Sequence, residues 1–219
     1  MNFSYKLIRS RRRSICLLIK EGEIVVRAPR LAPKIIIDRF VLSKGDWINK
    51  HLKKSSVRFK RQYKEGESFL FSGKEYQLKI IKTNLKSPEI RFNKNDLVAL
   101  TYDSSKGFLK IQIEKFYRAK TQNTVQKLIK KYEPNFSGKV TIRSYRSKWG
   151  SCSGKNDLTF NTKLSMTPDA VIEYVVLHEL SHIKEKNHSK RFWALVKSSD
   201  EKYNEKRRWL RQNNDKLAL

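Results

Sequence analysis

The chain has 219 residues, about one and a half average domains, so one larger domain or two small ones sharing a core is expected and an extended array is not. Hydrophobic residues make up 38% and aromatics 11%, enough for a core, while no run approaches the ~18 apolar residues that cross a bilayer. The formal charge of +28 favours polyanionic partners, and two cysteines, Cys16 and Cys152, exclude a disulfide framework and fit a reducing, cytoplasmic setting.

The opening residues carry charge on both sides of a short apolar run and lack a small-residue cleavage site, so no signal peptide is expected. Residues 1–64 hold 18 Lys and Arg against 4 Asp and Glu, a balance of +14, while residues 151–219 stand at +4. Nucleic acid is therefore a possible partner through the basic N-terminal region, although no reader motif accompanies the charge. Arg11, Arg12 and Arg13 fall at a turn, where they are a solvated run or an anion contact.

YKLIRS, SICLLI and EIVVRA predict three strands of a small antiparallel meander. After Pro29 and Pro33 the segment IIIDRFVLSKGDWINKHLKK has helical spacing, broken or bent at Gly45, with Phe40 and Trp47 as packing anchors. His51, among lysines, is expected on an exposed helix face with no role. Strand-like alternation returns over residues 66–113 in YQLKIIKT, EIRFN, DLVALTY and FLKIQI, and Ile113 to Tyr132 predicts an amphipathic helix ended by Glu133-Pro134.

KVTIRSYRS and DLTFNTKLS predict two strands joined by the loop KWGSCSGKN. The second is a possible sheet edge for an extended peptide. Thr167-Pro168-Asp169 signals a helix start with a capping hydroxyl, and the helix that follows is apolar nearly all round through Leu180, so it is expected to be buried. Ser189 is expected to cap KRFWALVKSS, and EKYNEKRRWLRQN predicts a last helix. The sequence shows no internal repeats.

Within the buried helix, His178-Glu179-Leu180-Ser181-His182 is an H-E-x-x-H motif. Positions four apart on a helix differ by ~40°, so both imidazoles leave one face and can share a tetrahedral zinc, with Glu179 beside them. Three protein ligands are the rule for hydrolytic zinc. His188 is the leading third, provided the chain turns back at Lys186-Asn187, with Glu201 and Glu205 as rivals. Tyr174, Tyr203 and Arg146 are candidates to stabilise an oxyanion. Cys152 as a nucleophile would need a base held by a third group, and the histidines are better used on metal; Trp149, Gly150 and the serines around Cys152 are expected to shape a loop near the site.

The span YRSKWGSCSGKNDLTFNTKLSMTPDAVIEYVVLHELSHIKEKNHSKRFWALV resembles the YgjP-like metallopeptidase family, relatives of the SprT-like and WLM zinc proteases. The motifs are W-G-S-C-S, Y-V-V-x-H-E-L-x-H and N-H-S-x-x-F-W, over roughly residues 139–213; SRRRSICLLIKEGEIVVRAPR and WINKHL resemble it more loosely. The resemblance implies an α+β fold, a zincin-like metallopeptidase domain with an N-terminal antiparallel β-rich extension, here divided into residues 1–108 and 109–219. It further implies zinc held by His178, His182 and His188 and Glu179 as catalytic base of peptide-bond hydrolysis. Two alternatives remain open: a nucleic-acid-associated protein with a structural or vestigial zinc site, and a protease acting on DNA-bound proteins.

Overall fold

The computed structural model describes residues 3–20, 22–56 and 61–219, a mixed α+β chain with ten strands and six α-helices among them. Two units are distinguished, Met1–Phe59 and Lys60–Leu219. The division expected at 108/109 falls inside a continuous helix, described below. No helix among the described residues is long and apolar enough to cross a membrane.

The first unit holds β1 (Lys6–Ser10), β2 (Cys16–Lys20), β3 (Glu23–Pro29), α1 (Lys34–Leu42) and α2 (Gly45–Ser56). The expected antiparallel meander does not form: the strand order is β1-β3-β2, with β1 parallel to β3 and β2 antiparallel to it. The reason is burial. Ile24, Val25, Val26 and Ala28 of β3 are all buried, a nearly continuous run that requires a central strand, whereas β1 is half exposed along its length. Ile37, Val41 and Ile48 close the core from the helices. They replace the expected anchors, since Trp47 is exposed and stacks on His51, which is half-buried.

The second unit opens with β4 (Ser68–Phe71), β5 (Lys74–Lys82), β6 (Glu89–Asn93) and β7 (Asp96–Thr101), ordered β4-β5-β7-β6. Again β5 lies parallel to a buried central strand, β7, and β6 lies antiparallel to it. Next comes α3 (Lys106–Tyr132), which absorbs the segment FLKIQI expected as a strand. Its buried residues, Leu109, Ile113, Tyr117, Thr121, Val125 and Ile129, recur every fourth position, while Ile111 is exposed. Short alternation at 108–113 is thus a fragment of a helical stripe.

β8 (Val140–Arg143), β9 (Gly150–Cys152) and β10 (Leu158–Asn161) form a third sheet, β8-β10-β9, with the same arrangement: the first strand is parallel and the second antiparallel to a central third. The sequence loop at 148–156 therefore contains a strand, and β10, expected at an edge, is central. The free edges are β8 and β9. A 3-10 helix (Thr162–Met166) leads into α4 (Asp169–Lys184), α5 (Lys190–Ser199) and α6 (Tyr203–Asn213). Thr167 does not cap α4; its hydroxyl donates back to Leu164 O at 2.7 Å. Ser189 does cap α5, accepting from Phe192 N at 3.3 Å.

The β4–β5 turn is tied to this segment by Ser72 N donating to Ser165 O (2.8 Å) and Gly73 N to Met166 O (3.1 Å). Gly73, at φ +77°, leaves no room for a Cβ, which would stand 2.8 Å from the Pro168 ring. On the other side, the Thr121 hydroxyl of α3 donates to Thr162 O at 2.8 Å. The start of α4 is thereby held between the β4–β7 sheet and α3.

Candidate metal centre

Ten residues of α4 are buried, among them Val171, Ile172, Val175, Val176 and Leu180, so the helix runs through the core and carries its polar residues with it. Burying such groups without partners costs free energy. His178 and His182, one turn apart, share a face. α4 ends at Lys184, with Glu185 extended; Asn187 does not take the left-handed conformation but accepts from Ser189 N at 3.0 Å, a turn that starts α5. This reversal returns His188 to the first two histidines.

His188 Nε2 stands 3.2 Å from His178 Nε2, and one ring nitrogen from each of His178, His182 and His188 lies within 4.8 Å of the others. Ligands at ~2.0–2.1 Å around a tetrahedral zinc are ~3.3–3.4 Å apart, so this donor set suits that ion. His182 Nδ1 lies 2.9 Å from Glu185 O, which engages that nitrogen and leaves Nε2 for a metal. Burial, followed by the neighbouring His182, His188 and Arg207, pushes His178 down to about 3, keeping it neutral. His188 is lowered as well, chiefly by desolvation. Phe192, fully buried, forms the floor under all three rings at 4.3–4.9 Å between centroids. Trp193 stacks on His188 at 5.7 Å. Glu201 and Glu205 are exposed and lie outside the histidine group.

Glu179 is 4% exposed, and its Oε2 has no hydrogen-bond partner among the described residues. Burial pushes its carboxyl up to about 8, opposed by Lys148. Its side chain lies on Gly150 of β9, where a Cβ would stand 2.6 Å from Oε1. β9 is itself held in place by Asn161, whose Nδ2 donates to Tyr145 O (3.0 Å) and Lys148 O (2.8 Å) while its backbone N donates to Trp149 O (2.8 Å). Neither the Gly150 contact nor the Asn161 clamp was anticipated. A glycine beside a motif carries no distance, and one asparagine in a strand carries no partner.

Tyr174 and Arg146 line the cleft that opens on His178 and Glu179. Tyr203 instead stacks on Trp193 at 5.5 Å. Cys152 pairs with Leu158 in the sheet, and burial raises its thiol, with Lys186 Nζ 3.7 Å away; a raised thiol is a poor nucleophile.

A family model described as YgjP-like, metallopeptidase domain, matches residues 13–213. Among solved structures, the chain is similar to the metallopeptidase zymogen of Methanocaldococcus jannaschii jannalysin, with 24% identity and a TM-score of 0.36 over 42% of this chain and 94% of that one. It is likewise similar to the metallopeptidase zymogen of Pyrococcus abyssi abylysin, with 21% identity and a TM-score of 0.36 over 42% of this chain and 93% of that one. No curated protein matches.

Proposed function

The chain belongs to the YgjP-like metallopeptidases, and from that premise we propose that His178, His182 and His188 hold a zinc ion and that Glu179 is the base in peptide-bond hydrolysis. Membership makes it a metal-dependent hydrolase of polypeptides; the choice of zinc and of these four residues is our reading. The observation that carries it is the convergence of three imidazole nitrogens within 4.8 Å beside a buried carboxylate with a partnerless oxygen.

A bound zinc supplies Lewis acidity, polarising the scissile carbonyl and lowering the pKa of water. The rest falls to the chain. His178 stays neutral through burial, so its lone pair is available without prior loss of a proton, and Glu185 O engages His182 Nδ1 and leaves Nε2 to face the site. Glu179 accepts a proton from the attacking water on Oε2 and delivers it to the leaving amine. β9, hydrogen-bonded to β10 on one side only, offers a free edge on which an extended peptide can pair beside Glu179.

The test is metal content with turnover. Wild type should carry one zinc per chain, His178→Ala, His182→Ala and His188→Ala should each lose most of it, and Glu179→Gln should keep zinc and fold while losing hydrolysis of an unstructured protein. Full zinc retention by His188→Ala, or wild-type cleavage by Glu179→Gln, overturns the assignment.

A further inference from the structure

The cleft beside Glu179 has a volume of about 490 Å³, within the range of small-ligand sites. Its outer wall is one face of α6. Arg207, Leu210 and Arg211 follow the i, i+3, i+4 spacing that brings side chains to a single face, and with Asn214 just beyond the helix end they line the cleft. A third guanidinium, Arg146, faces them from the segment between β8 and β9. Trp149 and Val175 add apolar lining.

Three arginines therefore meet one acid, Glu179, among the lining residues. Lys206, adjacent to Arg207, is paired with Asp200 at 2.6 Å, and Lys131 with Glu173 at 3.0 Å. Arg146, Arg207 and Arg211 have no ion-pair partner among the described residues. Arg207 is also positioned in advance: its guanidinium lies over the Trp193 ring at 4.8 Å, and Trp193 in turn makes stacked contacts with His188 and Tyr203. A planar, pre-oriented fork is suited to a carboxylate.

We propose that this cleft receives a carboxylate of the peptide substrate on Arg146, Arg207 and Arg211, so that the enzyme prefers chains with an acidic group beside the scissile bond. This rests on the peptidase reading above. An aspartate or glutamate side chain and a C-terminal carboxylate offer the same chemistry. The cleft is favoured over a nucleic-acid phosphate track because it ends at Glu179 and His178, where an anion on the arginines places its own chain across the candidate base.

Quenched fluorescent peptides, identical except for Glu, Gln or Lys at each position flanking the cleavage site, test the proposal on the zinc-loaded enzyme. A second pair ends in a free carboxylate or its amide close to the site and separates the two sources. We expect kcat/KM for the best-placed Glu peptide to exceed that for Gln by about tenfold, and the ratio to fall about fivefold in Arg207→Gln and in Arg211→Gln, the scale of one charged contact. Both residues are exposed, so the fold tolerates the change. In parallel, anisotropy of labelled Glu and Gln peptides on Glu179→Gln protein measures binding without turnover. If wild type cleaves none of the peptides while binding keeps the Glu preference and loses it with the arginines, the peptidase reading fails and the carboxylate pocket stands. Equal treatment of Glu and Gln in both assays, or a preference that survives the Arg207→Gln/Arg211→Gln double variant, overturns the proposal. So does displacement of both labelled peptides alike by a DNA oligonucleotide through the same arginines.

Discussion

Gly150→Ala is the smallest change that tests the placement of Glu179. Gly150 is not at positive φ, so alanine suits its backbone, and the whole effect comes from the added methyl. That carbon would stand 2.6 Å from Oε1, 2.7 Å from Cγ and 2.8 Å from Cδ of Glu179. To reach an ordinary contact of 3.4 Å the carboxylate must retreat by about 0.8 Å, and because Cγ is crowded too, rotating the carboxylate alone is not enough. Overpacking of this kind costs about 1–3 kcal/mol of stability. A misplacement near 1 Å in a catalytic group costs about 10²-fold in rate. We therefore expect kcat/KM on an unstructured protein to fall about a hundredfold while zinc content and the circular dichroism spectrum are kept. In the Glu179→Gln background the same substitution should add little, since the group it displaces is already inactive. Wild-type turnover in a zinc-loaded, folded Gly150→Ala enzyme would refute the reasoning.

Two further outcomes concern the rest of the chain. The Tyr63 hydroxyl is buried without a partner among the described residues, whereas that of Tyr117 donates to Leu70 O at 2.8 Å; Tyr63→Phe should thus be neutral or stabilising by up to about 1 kcal/mol and Tyr117→Phe destabilising by about 1 kcal/mol in urea unfolding, the reverse ranking refuting the assignment. Burial raises both phenols above their ordinary value, so the stability they confer as neutral groups is complete below about pH 10 and falls at higher pH, a fall that the two Phe variants should lessen. In the N-terminal unit Arg9 is already engaged by the carbonyls of Arg30 and Ala32 at 2.8 Å each, while Arg11 and Arg13 are exposed. If the basic front half contacts nucleic acid, replacing Arg11, Arg12 and Arg13 by serine should lower the salt slope of DNA binding by up to about 3; no binding by wild type at low salt would leave that surface merely solvated.

What could be read in the sequence was what is local. Two histidines four apart leave one helix face by geometry alone, and Ser189 as a cap followed from its own side chain. The segment 108–113 failed because six residues are too short to separate alternation from a four-residue stripe, and β9 failed because a three-residue strand has no period. Strand order was illegible for a different reason: the burial that puts β3, β7 and β10 in the middle depends on which other elements cover them. Arg207 and Arg211 stand one turn apart on the last helix, but nothing in the chain said what stood opposite.

The shared arrangement of the three sheets bears on how the protein is made. Lys6 pairs with Val25, Gln77 with Asp96, and Val140 with Leu158, so in each trio the first strand meets its partner after nearly the same interval of chain. On a ribosome β1 and β8 therefore emerge with no strand to bond to, whereas β5 already has β4 beside it. The hairpin of the second and third strands closes early, because its loop is short, and the waiting strand then docks along the far edge of the hairpin. Three such units can form in succession during synthesis, each leaving one strand edge briefly unsatisfied, which is the interval in which the nascent chain is open to wrong pairing.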